Sequence, residues 1–212
     1  MIKNVLYWFT LDNIGNLFID KKYVDYVNPF VHGSLLSIYS IKEIYLKNNS
    51  EQGFNNEQLT IINLSTGYFI YDIIKMALIR KYWNNLYVAH HLALLYFFHF
   101  FKKYDLKDFF IESLFFGELT NPVLQIWHMS KTTNNKVLFR YTNHIFTAMF
   151  LLFRCILMPI FFYKKINLLP NLNISKFDYN TVFSFSIIFN MGNIAWSYQL
   201  IKGYLKWLKK NH

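Results

Sequence analysis

The sequence predicts an all-α membrane protein with six transmembrane helices. Of its 212 residues, 54% are hydrophobic and only 16% are charged, whereas about 25% of the residues of a soluble domain are charged. The apolar residues gather in long stretches, and most of the charged residues lie in the short gaps between them. This pattern is typical of a single-domain integral membrane protein.

Six apolar stretches approach the length of about 20 residues that a helix needs to cross the hydrocarbon core of a bilayer. The first and third stretches are short, and we expect both to extend a few residues outward. The six predicted spans cover residues 29–46, 60–79, 86–101, 108–129, 138–163 and 179–201.

Residues 1–24 precede the first span as an N-terminal lead-in. This segment is apolar in places but is interrupted by Asp12, Gly15 and Asp20. We interpret it either as an interfacial helix or as a poorly ordered stretch. At the other end, residues 208–212 form a basic tail, so that the helical domain itself is predicted to run from residue 25 to residue 207.

The basic residues predict which side of the membrane holds the termini. Six spans place both termini on one side, where twelve Lys and Arg residues lie, against eight on the opposite side. The positive-inside rule therefore favours cytosolic termini. Two Asn-x-Ser sequons, at Asn48 and Asn173, fall on the opposite side, which agrees with a lumenal location. Because the net charge of +10 comes from these gaps and not from a basic stripe, no nucleic-acid partner is expected.

Charged side chains also occur inside the predicted spans. Each would cost about 2.5–3.5 kcal/mol at the bilayer centre if it faced lipid, so each is expected to face protein, water or an opposite charge. Asp72 and Lys75 have the i, i+3 spacing of a pair on one helix. Glu118 and Arg154 lie at matching depth on adjacent spans, which predicts an ion pair between them.

Polar residues follow the helical period within single spans. The fourth span carries one stripe, made of Glu118, Asn121, Gln125 and His128. The sixth span carries another, made of Ser186, Asn190, Asn193 and Ser197. Such stripes are explained either by hydrogen bonds that join helices or by an interior that is lined with polar groups.

Several polar residues from different spans share one depth. Counted along each span, they lie about 13–21 Å from the lumenal side, near the middle of the hydrocarbon core. This layer holds His32, Asp72, His91, Glu118, Arg154 and Asn190. His90 and His91 are adjacent, and their side chains therefore point about 100° apart. We expect one of them to face the bundle interior and the other to face a neighbouring helix.

A metal site is not expected at this histidine pair. Desaturases and hydroxylases with two metal ions need several histidine boxes, and Tyr87 stands where a His-x-x-His-His box would have its first histidine.

The chain resembles the TLC homology domain, which is shared by ceramide synthases, translocation-associated membrane proteins and several lipid-linked proteins. The matching elements are FVHGSLLSIYS at 30–40, STGYFIYDIIK at 65–75, VAHHLALLYFF at 88–98, GELTNP at 117–122 and NMGNIAW at 190–196. Their order and spacing are shared with the family, and together they extend over residues 25–207. The region around Glu118 is closer to family members that are not ceramide synthases.

The resemblance implies six helices around a central cavity that is accessible to a lipid chain. It further implies a multi-pass protein of lipid homeostasis in the endoplasmic reticulum or another endomembrane, which binds, senses or moves a membrane lipid without a cofactor. The residues expected to line the cavity are His32, Tyr68, Asp72, His90, His91, Glu118, Asn121, Arg154, Asn190 and Asn193.

An enzymatic alternative stays open. By resemblance to ceramide synthases, the chain would transfer an acyl group from acyl-coenzyme A, as substrate, to an amine, with His90, His91 and Asp72 as the catalytic residues. The acidic pattern that follows the paired histidines in those synthases is missing here, where the sequence reads FFGELTNPVLQIWHM. A role beside the protein translocation channel is a further alternative, and it rests on family resemblance alone.

Overall fold

The computed structural model describes residues 1–46, 53–79 and 84–211 of the chain, and within these ranges it is helical and contains no β-strand. The helices are α1 (Ile2–Phe18), α2 (Lys21–Leu46), α3 (Asn56–Leu78), α4 (Asn85–Lys103), α5 (Lys107–Glu118), α6 (Asn121–Thr132), α7 (Lys136–Phe150), α8 (Met158–Leu168) and α9 (Lys176–Asn211). A π-helical turn (Leu151–Leu157) joins α7 to α8, and a 3-10 turn (Leu169–Asn171) follows α8.

Each predicted span coincides with helical structure, which confirms the all-α class. The first three spans correspond to α2, α3 and α4, the fourth to α5 and α6, the fifth to α7 through α8, and the sixth to α9. Within the described ranges, one helical stretch is by itself long and apolar enough to cross a membrane, namely Lys136–Asn171. Six membrane crossings therefore remain a prediction. Lys47, Asn48, Arg80 and Lys81, which entered the comparison of the two sides, lie outside the described residues.

Asparagine side chains fix the starts of three helices. The Asn55 side chain accepts a hydrogen bond from the Gln58 backbone N–H at 2.8 Å, and the Gln58 side chain accepts one from the Asn55 N–H at 3.0 Å. Asn84 caps α4 and Asn135 caps α7 in the same general way. A cap of this kind satisfies backbone donors that have no partner within the helix, so these gap residues set where each helix begins.

The N-terminal stretch forms helix α1, which packs against α2 and α3. The backbone becomes extended at Ile19, and α2 begins at Lys21, eight residues before the predicted start of the first span. Trp8 on α1 is fully buried. The predicted boundaries at residues 24 and 208 consequently fall inside helices α2 and α9.

The chain divides into two compact units, Met1–Glu112 and Ser113–His212, referred to below as the N-terminal and C-terminal units. In the N-terminal unit, α4 packs against the start of α5 through aromatic rings. Phe98 lies 5.6 Å from Phe110, and Phe101 lies 5.0 Å from Phe109, between ring centroids. These four side chains are buried and form part of the core of the unit.

Two departures from regular α-helix shape the C-terminal unit. Helix α5 ends at Glu118 and α6 begins at Asn121, so the fourth predicted span is broken just before Pro122, which is tolerated in a first helical turn because it has no N–H to donate. Further along, the Met158 N–H bonds to the Phe153 carbonyl, five residues back. Pro159 cannot donate to the carbonyl of Cys155, which favours this wider π-helical turn.

Candidate functional site

The N-terminal unit brings four of the predicted cavity residues together. His32 from α2 and Tyr68 from α3 stack with their ring centroids 3.9 Å apart and their planes 14° from parallel. The ring of Phe69 meets His32 edge-on at 5.3 Å and lies 5.1 Å from the ring of His91. His32 is only 3% exposed. We call His32, Tyr68, Phe69, Asp72 and His91 the histidine cluster.

His91 of α4 lies beside an acidic side chain of α3. Its Nδ1 is 3.4 Å from Oδ2 of Asp72, yet the two groups are not aligned as a hydrogen bond. The carboxylate is thus a near neighbour that can orient the imidazole or stabilise its protonated form.

The two adjacent histidines have different surroundings. His91 is buried within the histidine cluster, whereas His90 is half-buried at the cluster's edge, with its ring centroid 5.6 Å from that of His91. The 100° rotation between neighbouring residues on a helix accounts for this difference. His91 is therefore the member of the pair that the fold places beside His32, Tyr68 and Asp72.

Sequence reasoning missed the contribution of α1 to this site. The Trp8 ring meets His32 edge-on at 5.7 Å and Tyr68 at 5.1 Å between centroids. Its indole N–H donates to the Leu64 carbonyl of α3 at 3.0 Å. Trp8, Asp12 and Gly15 recur at the i, i+4, i+7 spacing of a single helical face, and that spacing was the signal that could have revealed a packed helix here.

Lys75 pairs with acidic side chains other than Asp72. Its Nζ lies 2.9 Å from Oδ1 of Asp12 on α1 and 3.4 Å from Oδ1 of Asp25 on α2. The i, i+3 pair between Asp72 and Lys75 that the spacing suggested is thus replaced by ion pairs to other helices. Because of this, Lys75 ties α1 to α2 and α3, and Asp72 faces His91.

A second group of polar residues lies in the C-terminal unit, and we call Glu118, Asn121 and Arg154 the arginine cluster. Arg154 projects from the π-helical turn and is only 8% exposed. Its guanidinium donates to the Gly117 carbonyl, to the Thr120 hydroxyl at 3.4 Å and to the Asn121 side-chain oxygen at 3.4 Å.

Asn121 links the two charges of the arginine cluster. While its oxygen accepts from Arg154, its side-chain NH₂ donates to Oε2 of Glu118 at 2.6 Å. The sequence placed Glu118 and Asn121 on one uninterrupted stripe. The break between α5 and α6 instead folds the Asn121 side chain onto Glu118, and the half-buried amide bridges the predicted pair.

Two asparagines of α9, Asn190 and Asn193, were predicted to line the cavity, and the side-chain oxygen of Asn190 has no hydrogen-bond partner among the described residues. The Asn190 NH₂ donates to the Ser186 carbonyl one turn earlier at 2.9 Å. Asn193 is buried and its NH₂ lies 3.4 Å from the sulfur of Met158. Neither contact joins these residues to the arginine cluster. In the described ranges, no three His, Cys, Asp or Glu side chains are arranged to hold a metal ion.

Comparison with known proteins gives one match. A family model described as the TLC domain matches residues 22–202. No curated protein and no solved structure matches the chain significantly. The matched region contains the whole histidine cluster and the whole arginine cluster, whereas Trp8 and Asp12 of α1 lie before it.

Proposed function

Because the chain belongs to the TLC domain family, which is linked to membrane lipid metabolism and homeostasis, we propose that it is a multi-pass membrane protein that binds, senses or moves a lipid chain in an intramembrane cavity. The location that fits this role is the endoplasmic reticulum or another endomembrane, with both termini in the cytosol. The excess of basic residues on the terminal side supports that orientation.

The observation that carries this proposal is the histidine cluster. Helices α2, α3 and α4 each bring a polar side chain to one buried place, namely His32, Asp72 and His91. Burying a polar group without a full set of hydrogen bonds costs free energy. Such a cluster within largely apolar helices is explained if it contacts a ligand that enters from the membrane, with the aromatic rings of Tyr68 and Phe69 packing beside it.

Lipid analysis of the purified chain tests the proposal. Protein extracted in a mild detergent is expected to carry lipid that mass spectrometry detects, and His91→Leu is expected to reduce its amount several-fold because one wall of the cluster becomes apolar. His99→Leu is the matched control, since His99 lies on the same helix but is exposed. Lipid that is absent from the parent protein, or equal in all three proteins, would contradict the proposal.

The contact between His91 and Asp72 favours one second candidate, an acyl-coenzyme A-dependent N-acyltransferase. In that reaction an amine nitrogen bonds to the thioester carbonyl carbon, the carbon–sulfur bond breaks, and coenzyme A leaves as its thiol. His91 would accept the proton that the amine loses and pass it to the leaving sulfur, with Asp72, 3.4 Å away, stabilising the imidazolium. His90, at the edge of the cluster, would contact the incoming substrate.

Turnover separates the two candidates. Purified parent protein is incubated with a long-chain acyl-coenzyme A and a sphingoid amine, and the amide product is measured. An acyltransferase would form product, and His91→Ala and Asp72→Asn would each lower the rate, whereas His99→Ala would not. If the parent forms no product but carries lipid that His91→Leu removes, lipid binding without catalysis is the correct description.

A further inference from the structure

Apart from Nδ1 of His91, two buried polar atoms in or next to the histidine cluster have no hydrogen-bond partner among the described residues. They are Nε2 of His32, which is 3% exposed, and the hydroxyl oxygen of Ser65, which is 0% exposed. Ser65 lies one turn before Tyr68 on the same face of α3, and Tyr68 is the residue on which His32 stacks. The Ser65 hydroxyl therefore lies on the face of α3 that carries Tyr68, against which the His32 ring of α2 stacks.

The bonding of Ser65 differs from that of other hydroxyl residues in the helices. Ser37, Thr66 and Ser186 each donate to the carbonyl four residues earlier, at 2.7 Å, which is the usual way to satisfy a hydroxyl within a helix. Ser65 makes no such bond although it is completely buried. Leaving a buried group unsatisfied is costly, so an external partner for this hydroxyl explains why it is there.

Helix α1 covers this place. Trp8 is fully buried, packs edge-on against both His32 and Tyr68, and bonds to the Leu64 carbonyl, next to Ser65 in the chain. A ligand that reaches His32 from this side must take space that the indole now fills. Two features hold α1 in place, namely the ion pair of Asp12 with Lys75 and the hydrogen bond from Asn28 to the Trp8 carbonyl at 3.2 Å.

We propose that α1 is a displaceable cover over a subsite formed by His32 and Ser65, and that this subsite binds an uncharged hydrogen-bonding group of a membrane lipid, such as a hydroxyl or an ester carbonyl. The proposal rests on the lipid-binding function put forward above and adds to it the class of group that is recognised and the element that controls access.

The charged side chains near the subsite already have partners, so the lipid group that the subsite binds is neutral. On α3, Lys75 is already paired with Asp12 and Asp25, Asp72 faces His91, and Glu57 is paired with Lys42 at the start of the helix. A charged headgroup at His32 and Ser65 would be buried without a counter-ion, which is strongly unfavourable. An imidazole nitrogen and a hydroxyl, by contrast, can donate to or accept from a neutral oxygen.

Photolabelling of the full chain tests both parts of the proposal. The probe is a diacylglycerol with a diazirine on one acyl chain, presented in phosphatidylcholine nanodiscs. Asp12→Asn loosens the cover and is expected to raise labelling several-fold, and Ser65→Ala is expected to lower it several-fold. Glu57→Gln is the control for the first change, because it breaks an exposed ion pair between α3 and Lys42 of α2 that does not involve α1. Thr66→Val, which removes a hydroxyl that is already bonded, is the control for the second.

A second measurement needs no variant. Hydrogen exchange of the α1 amides in the parent protein is expected to become faster when the diacylglycerol probe is added, because ligand binding displaces α1. Unchanged or slower exchange at saturating probe would overturn the cover. A diazirine fatty acid, which is anionic, is expected to label far less. Equal labelling by the fatty acid that also depends on Ser65 would overturn the neutral subsite.

The outcomes also separate this inference from the proposed function. If lipid copurifies with the parent protein but labelling responds neither to Asp12→Asn nor to Ser65→Ala, the cover and the subsite are wrong and lipid binding stands. If no lipid copurifies and no probe labels the parent, the proposed function itself fails, and the inference that depends on it fails with it.

Discussion

Asn121 is the residue on which the arginine cluster depends. A side-chain amide can accept and donate at once, and Asn121 uses both abilities, accepting from Arg154 and donating to Glu118. The bridge places two buried charges of opposite sign around a neutral group. Arg154 is also held by the Gly117 carbonyl and the Thr120 hydroxyl, so it keeps hydrogen-bond partners even when one contact is lost, but only Glu118 offsets its charge within the cluster.

Replacing Glu118 alone is therefore expected to be more harmful than replacing both charges. Glu118→Leu strands a buried guanidinium, and losing one partner of a buried pair typically costs about 3–5 kcal/mol. The double variant Glu118→Leu/Arg154→Leu removes the stranded charge as well and should melt at a higher temperature than the single one. Thermal unfolding in detergent measures this difference. Equal melting temperatures for the single and double variants would show that the two charges are not coupled.

At the same scale, His32, Asp72 and His91 were predicted from the depth that they share, because depth is a local property of each helix and neighbouring helices bring equal depths together, whereas Tyr68 was predicted from the family resemblance. The spacing of Trp8, Asp12 and Gly15 indicates a packed helical face, but it does not identify the helix on which Trp8 packs. Its contact with the Leu64 carbonyl joins residues 56 positions apart, and no local pattern specifies which helix an N-terminal segment packs against. Ser65 was missed for another reason, since an unbonded hydroxyl differs from a bonded one only in three dimensions.

Among the elements, α1 and α3 approach each other unusually closely at Gly67. A Cβ placed there would lie 2.6 Å from Cβ of Asn4 and 2.8 Å from its backbone carbonyl carbon. Backbone atoms cannot move aside as the end of a flexible side chain can. The absence of a side chain at residue 67 is thus a condition for the packing of α1 and, with it, for the burial of Trp8.

Gly67→Ala is accordingly expected to push α1 away from α3. Overpacking of this kind typically costs about 1–3 kcal/mol, and the variant should unfold at a lower temperature and exchange its α1 amides faster. Gly192→Ala is the control, because nothing lies within 4 Å of a Cβ there and alanine is the better helix former by about 1 kcal/mol. Equal stability of the two variants would show that the close approach of α1 to Gly67 does not affect the free energy of unfolding.

The helices themselves were largely predictable, whereas their interruptions were not. Apolar stretches of suitable length indicated α2, α3, α4 and α9 because length and polarity are read directly from sequence. The break between α5 and α6 escaped notice because the polar spacing continues across Pro122, which fits equally into a continuous kinked helix and into the first turn of a new one. The capping asparagines set the helix starts through side-chain hydrogen bonds, and these bonds cannot be inferred from the spacing of apolar residues.

For the molecule as a whole, six membrane crossings are a prediction, and an even number of crossings would place both termini on one side of the membrane. We expect tags at either end to be digested by protease in sealed microsomes and a tag inserted at residue 173 to be protected. Solubilised microsomes, in which all tags are digested, provide the control. Opposite fates for the two terminal tags would rule out an even number of crossings and with it the six-span arrangement.

The π-helical turn has a consequence for how this chain tolerates changes in length. A single widened turn amounts to about one extra residue absorbed locally, so the helices on either side keep the outward faces they would have without it. Deleting Leu152, an exposed residue of that turn, would let the hydrogen-bond ladder close up as regular α-helix while α7 and α8 retain their orientation. Only the π-helical turn that carries Arg154 would be lost. The fifth predicted span is therefore expected to tolerate the loss of one residue at this turn, which is also the turn that carries its buried charge, Arg154.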